Sequence, residues 1–271
     1  MTEHDLAFSL TLPTSAPELP LVVEVPHASI AVDPETLSYL IGPARSIGQD
    51  ADLFVDELFA NAPSLGASLL VSRRSRYVCD LNRAADDVDR QTTLAGTAPS
   101  SPHGVVWRRT TTGRAAIGEP LPTAEIDRRL TSIYYPYHEA LERRLAELEG
   151  RFGYVILLCA HSMPSFGRLG ERRADVVPGS QGKTTSSRRL LAAVESVCAK
   201  YRYDFAHDEP YRGGYTTRYH GRPAQGRHAL QIELARRIYM DEKSLARRPA
   251  EFGRTAEFCD ELVLRLGETR P

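Results

Sequence analysis

Tyr154-Val155-Ile156-Leu157-Leu158-Cys159-Ala160-His161-Ser162-Met163 is an unbroken apolar run that ends in a histidine and a serine. A run this short, entered from Gly153 and closed by a polar pair, reads as a buried strand of a mostly parallel sheet rather than as a helix. Open α/β sheets gather their chemistry at the carboxyl ends of such strands. His161 therefore stands either as a plain strand cap or as a ligand or catalytic imidazole, and its neighbours in the sequence have to decide between the two.

Outward from this strand the chain alternates strands and helices. Leu21–Val25 reads as a second strand, stopped by Pro26 and followed by His27-Ala28-Ser29, which puts a second histidine at a strand end. Residues 11–20, rich in Pro and Ser, form an extended lead-in. From Asp50 to Ala60, Leu53, Phe54, Leu58 and Phe59 recur at helical spacing, with Asp50 and Asp52 in a first turn where the helix dipole favours acids. Ala67–Val71 reads as a strand. Thr123–Glu149 is the clearest helix, with Leu141, Leu145 and Leu148 on one face, Gly150 at its end and a bend at Pro136. Residues 164–182 read as a Gly/Pro/Ser-rich loop, Ser186–Lys200 as an amphipathic helix and Tyr203–Ala206 as a short strand. Ala229–Leu234 alternates like a strand, and Phe252–Leu266 makes a closing helix. This order predicts an α/β fold with a mixed, mostly parallel sheet flanked by helices on both faces, in a single catalytic domain over residues 1–271. Between Ala84 and Pro122 the pattern dissolves into acidic, Thr/Ser and Gly/Pro-rich sequence around the lone tryptophan, Trp107, an insertion of a length that is more often functional than idle.

Lys plus Arg (34) nearly balance Asp plus Glu (35), so no global field favours nucleic acid or an anionic membrane. No apolar run approaches the roughly 18 to 20 residues that span a bilayer. The four cysteines Cys79, Cys159, Cys198 and Cys259 are widely spaced with no CxxC pair, and the start has no basic leader. A reduced cytoplasm is the expected compartment, with a small molecule as the partner.

Two imidazoles and one carboxylate make a usual zinc-hydrolase ligand set, and His27, His161 and the Asp50/Asp52 pair are the candidates. Glu233 sits in the alternating strand Leu230–Leu234, where a carboxylate either faces a polar side or is held in a site. Amide hydrolysis needs such a group, first to take a proton from water and then to give one to the departing amine. In Asp80-Leu81-Asn82-Arg83 the arginine offers a planar fork and the asparagine a neutral donor, which suits an amino-acid α-carboxylate. Arg218, in a Gly-rich loop among tyrosines, is a second carboxylate candidate. Gly213 and Gly214 either make a turn or let backbone approach a ligand.

Pro26-His27-Ala28-Ser29, Asp50-Ala51-Asp52 with Val55 and Leu58, Arg76-Tyr77 with Asp80-Leu81-Asn82-Arg83, His161-Ser162-Met163, Tyr211-Arg212-Gly213-Gly214 and Gln231-Ile232-Glu233 through Tyr239-Met240-Asp241 occur in the order seen in N-formylglutamate amidohydrolases. The chain resembles that family over residues 20–245 and, more distantly, the zinc carboxypeptidase and aspartoacylase group. The resemblance implies a carboxypeptidase-like fold, a bound Zn2+ or other divalent metal, and no organic cofactor. It implies His27 and His161 as metal ligands. The distant relatives place their acidic ligand three residues after the first histidine, where this chain has Ile30, so the carboxylate is expected from Asp50, with Asp52 second. By the same resemblance Asn82 and Arg83 clamp the α-carboxylate, Arg76 polarises the scissile carbonyl and Glu233 is the general base. Arg218 meets the side-chain carboxylate, and Tyr211, Gly213 and Gly214 line the substrate.

The activity so implied is hydrolysis of N-formyl-L-glutamate to formate and glutamate in histidine catabolism. The alternatives are another N-acyl amino acid deacylase or small carboxypeptidase on the same site, and a non-catalytic amino-acid-binding protein on this scaffold. A Ser-His hydrolase built on Ser162 is the weakest reading, because no GxSxG surrounds that serine.

Overall fold

The computed structural model describes residues 6–14, 17–93 and 102–271. Six strands, β1 (Phe8–Thr11), β2 (Leu21–Val25), β3 (Ser68–Ser72), β4 (Val155–Met163), β5 (Val176–Gly179) and β6 (Arg227–Ala235), form one sheet in the order β1-β3-β2-β4-β6-β5. β2, β4 and β6 run parallel, and β5 pairs antiparallel with β6, so the sheet is mixed as expected. All nine residues of β4 are buried, which is why its sequence shows no polar alternation. The helices are α1 (Pro34–Tyr39), α2 (Ala44–Asp50), α3 (Val55–Leu58), α4 (Thr123–Arg129), α5 (Tyr135–Phe152), α6 (Arg188–Tyr201), α7 (Tyr215–His220) and α8 (Pro249–Glu268), and α3, α6, α7 and α8 pack on the sheet. Among the described residues no helix is long and apolar enough to cross a membrane.

The chain divides into two compact units. One comprises Met1–Ser9, Pro26–Leu53 and Val71–Leu141. Its core contains Tyr77, Trp107 and Ala116, with Leu40 and Ile47 packed against them. The fully buried Arg129 binds Glu125 at 2.7 Å and donates to the carbonyls of Tyr77 and Val78, which fixes the backbone just ahead of Asp80. The other unit comprises Leu10–Val25, Phe54–Leu70 and Glu142–Pro271. There α7 packs on β4 and β6, while α6 and α8 pack on each other.

The structure departs from the sequence reading at five places. The helix expected over 50–60 is two helices: α2 ends at Asp50, and α3 begins only after Phe54, whose left-handed backbone (φ 67°) interrupts the run. Asp50 thus closes a helix instead of opening one. The bend near Pro136 is a π-helical turn, Leu130–Tyr134, in which the Tyr135 N–H reaches back to the Leu130 carbonyl. The stretch read as loop over 164–182 contains β5, and the Gly-rich segment after Tyr211 contains α7. The short strand expected at Tyr203–Ala206 is a single bridge from Phe205 to Val176. Within 84–122 the described residues form turns and isolated bridges, among them His103 with Trp107 and Arg109 with Ala115; residues 94–101 lie outside the described ones.

Candidate functional site

β4 and β6 start from adjacent glycines, and this start sets the register that carries the site. Gly153 (φ 77°) ends α5, Gly226 (φ 81°) precedes β6, and the Val155 N–H donates to the Gly226 carbonyl at 2.9 Å. A Cβ on Gly226 would lie 2.9 Å from the Gly153 oxygen, so the two backbones approach this closely only with glycine there. Arg227 clamps the start of β6 to α5 through Glu142 and Glu149, each at 2.7 Å. From that origin the ladder pairs Val155 with Arg227 and ends with His161 beside Glu233. Paired residues on neighbouring parallel strands share a face, so the imidazole and the carboxylate rise on the same side of the sheet. Ser162 points to the other face, where its Oγ accepts from Arg236 Nε at 3.2 Å. The Ser-His reading therefore loses its nucleophile.

Glu233 is held from its own strand. Gln231, two residues earlier on the same face, donates Nε2 to Glu233 Oε1 at 2.9 Å and accepts the Gly214 N–H on Oε1 at 2.8 Å. Gly213 (φ 102°) makes the turn before Gly214, and its carbonyl accepts from Gln181 Nε2 at 2.5 Å. Gly179 lets this turn pack on β5, since a Cβ there would come within 2.5 Å of the Gly213 nitrogen.

His27 follows β2 by two residues. Its Nε2 lies 2.8 Å from Asp80 Oδ1, and its Nδ1 lies 3.6 Å from Asp52 Oδ2. Asp80 is fully buried and surrounded by donors: Asn82 N–H at 2.9 Å, Arg76 Nη2 at 2.8 Å and Nε at 3.2 Å, and Trp107 Nε1 at 2.8 Å. Burial pushes its carboxyl up, but the charges of His27 and Arg76 outweigh this and hold it well below the usual carboxylate range. An ionised Asp80 can only accept, so the His27 Nε2 donates to it and the Nδ1 edge faces Asp52. A metal-binding imidazole wants this arrangement, with a carboxylate on the far nitrogen.

His27, Asp52 and His161 are all buried, and each offers one ligand atom within 4.8 Å of the others. The group contains Asp52, the second choice of the sequence reading, and excludes Asp50, the first. The Asp50 carboxylate is already taken, accepting from the Tyr77 hydroxyl at 2.5 Å, the Thr111 N–H at 3.1 Å and the Thr111 hydroxyl. Burial and the neighbouring Asp50 push the Tyr77 phenol up, so it remains a donor. Asp52 is placed by its own N–H, which bonds the His27 carbonyl at 2.9 Å.

The remaining candidates fall as follows. Arg76 is bound to Asp80, donates Nη1 to the Asp50 carbonyl at 3.3 Å and lies 4.2 Å over the Trp107 ring. Arg83 donates Nε to the His103 carbonyl at 2.7 Å, and Asn82 is buried beside it. Tyr211 stacks under Arg173, while Arg218 is exposed on α7. Sequence reasoning missed the work of Asp80, Trp107, Thr111 and Gln231. Asp80 had one visible signal, an acid that ends the apolar run Tyr77-Val78-Cys79. Trp107 and Thr111 belong to the insertion, whose described part braces Asp80 and Asp50.

The family described as N-formylglutamate amidohydrolase matches residues 19–240. The N-formylglutamate deformylase of Pseudomonas aeruginosa is 35% identical over 235 residues, covering 83% of this chain and 84% of that protein. The enzyme of that name from Pseudomonas putida is 33% identical over 238 residues, with 83% of each covered. The crystal structure of N-formylglutamate amidohydrolase from Ralstonia eutropha JMP134 superposes with a TM-score of 0.89 at 30% identity over 97% of each chain. With both sequence and fold matched along most of its length, the chain belongs to the N-formylglutamate amidohydrolase family.

Proposed function

We propose that this protein hydrolyses N-formyl-L-glutamate to formate and glutamate at a divalent metal, most simply Zn2+, held by His27, Asp52 and His161. The observation that carries the reading is the register that sets Glu233 beside His161, together with the three clustered ligand atoms. The donor set fits a metal: two imidazoles and a carboxylate, one imidazole with its proton held away by Asp80. A metal held there would supply Lewis-acid chemistry, polarising a carbonyl oxygen and acidifying a water.

The chain's own residues supply the rest. Glu233 takes a proton from the attacking water as the new C–O bond forms, then delivers it to the amide nitrogen as the C–N bond breaks. Arg76, pinned by Asp80 and stacked on Trp107, stabilises the negative charge that develops on the formyl oxygen. Asn82 and Arg83 hold the α-carboxylate, Arg218 the side-chain carboxylate, and Tyr211 with the Gly213–Gly214 turn forms the wall of the pocket. Such a substrate places the reaction in histidine catabolism, and the four free thiols suit the reducing cytoplasm.

The test combines metal analysis of the purified protein with formate release from formyl-, acetyl- and succinyl-glutamate, formyl-aspartate and a dipeptide. Stoichiometric metal with preference for formyl-glutamate is expected. Preference for a longer acyl group or the dipeptide would move the assignment to another deacylase or a carboxypeptidase. Near-wild-type turnover in Glu233→Gln with metal still bound would remove Glu233 from the mechanism.

A further inference from the structure

We propose that Gln231 is a positioning residue for Glu233, setting the carboxylate from a fixed backbone anchor; the inference rests on the reading of Glu233 as the base. Hydrogen-bond polarity fixes the direction of the Gln231 amide. The Gly214 N–H can only donate, so the oxygen of the Gln231 amide must face it, at 2.8 Å. The amide NH2 is then forced toward Glu233 and reaches Oε1 at 2.9 Å, where that oxygen must accept. The amide cannot flip without setting donor against donor at Gly214, so its direction is determined by the backbone and not by the carboxylate. Gln231 is 4% exposed, which keeps water from substituting for either bond. The anchor is itself rigid: the Gln181 N–H binds the Arg212 carbonyl at 2.8 Å, Gln181 Nε2 binds the Gly213 carbonyl, and Gly179 admits the turn against β5. Glu233 thus has one oxygen assigned to a donor whose place depends on β5 and the glycine turn. Gln231 touches no reacting atom; it acts through Glu233.

The experiment measures kcat and KM for formate release in Gln231→Met, in Glu233→Asp and in the double variant, with metal content checked in each. Gln231→Met keeps length and burial but removes the donor. The expected result is a kcat lowered about 10- to 100-fold with KM within about threefold and metal retained. In the Glu233→Asp background the same change should cost less than about threefold, because the shortened carboxylate is already beyond Gln231's reach. An equal loss in both backgrounds, or a loss in KM alone, would show a general packing role and overturn the inference. If Gln231→Met fails to fold, Gln231→Glu, which still accepts from Gly214, replaces it, and wild-type kcat there overturns the inference as well. Failure of the base assignment is read separately, from Glu233→Gln with Gln231 intact.

Discussion

His161 and Glu233 are direct neighbours across β4 and β6, six rungs from the point where Val155 pairs with Arg227. Their closeness is a matter of register. A slip of one residue would turn one of the two side chains to the opposite face of the sheet. The position of this pair is therefore decided where the strands begin.

Gly226→Ala should accordingly harm both stability and turnover. Its Cβ would meet the Gly153 oxygen at 2.9 Å from a left-handed backbone, and about 1–3 kcal/mol of destabilisation is expected. Gly150, in the last turns of α5 with open space around it, is the control: Gly150→Ala should be neutral or stabilising by up to about 1 kcal/mol. Urea midpoints of the two variants make the comparison, and equal midpoints would show that the glycine contact does not govern the strand start.

Asp80→Asn removes one member of a buried set of charges and leaves Arg76 without its carboxylate. Breaking a buried pair costs about 3–5 kcal/mol, and loss of the carboxylate behind a ligating histidine lowers metal affinity about 10- to 100-fold. Thermal unfolding without metal and competition with a chelator read the two effects apart. Trp107→Phe, which deletes one donor to Asp80, should cost only about 1–2 kcal/mol.

Asp52 and Asp50 should separate by metal content. Asp52→Asn is expected to purify with little metal. Asp50→Asn should keep its metal while losing about 1–3 kcal/mol, since Tyr77 and Thr111 would lose a charged acceptor. The opposite pattern of metal retention would restore Asp50 as the ligand.

Glu142 gives a pH signature away from the site. The His220 imidazole, with Nδ1 3.4 Å from Oε2, and the hydrogen bonds from Arg227 lower its carboxyl to about 2. A depressed carboxylate stabilises the fold above its unfolded value near 4.5, and that stability is lost as pH falls through the folded value. Because Glu142 is half-exposed, solvent screening reduces the effect to about 0.5–1 kcal/mol. Urea midpoints should fall more steeply between pH 5 and 2 in the wild type than in Glu142→Gln by about that amount; parallel curves would refute the coupling.

The thiols should be silent in the native protein. Burial raises Cys198 to about 12 and pushes Cys79, Cys159 and Cys259 up as well. All four should react with a thiol reagent only on unfolding, as a single cooperative phase. Rapid labelling of any one under native conditions would contradict its burial.

Much of this protein was legible in its residues. The apolar runs at β2 and β4 announced strands buried on both faces, the alternation over Ala229–Leu234 marked β6, and the amphipathic spacing marked α5 and α6. β5 and α7 escaped because each lies within Gly/Pro-rich sequence that locally reads as loop. Pro178 and Gly179 are tolerated in β5 at the sheet edge, and Gly179 is needed there for the approach of the turn at Gly213.

Local periodicity reports burial and strand ends, so the residues alone placed two histidines near the ends of buried strands and Glu233 on a third. In the tertiary structure it is Asp52, and not Asp50, that groups with the two histidines. Both acids lie at the end of one short helix, and the choice turns on partners far away in the chain, Tyr77 and Thr111 for one and His27 for the other. The orientation of His27 by Asp80, and of Glu233 by Gln231, was decided there too. The direction of a hydrogen bond depends on which donor and acceptor meet, and no spacing along the chain encodes that meeting.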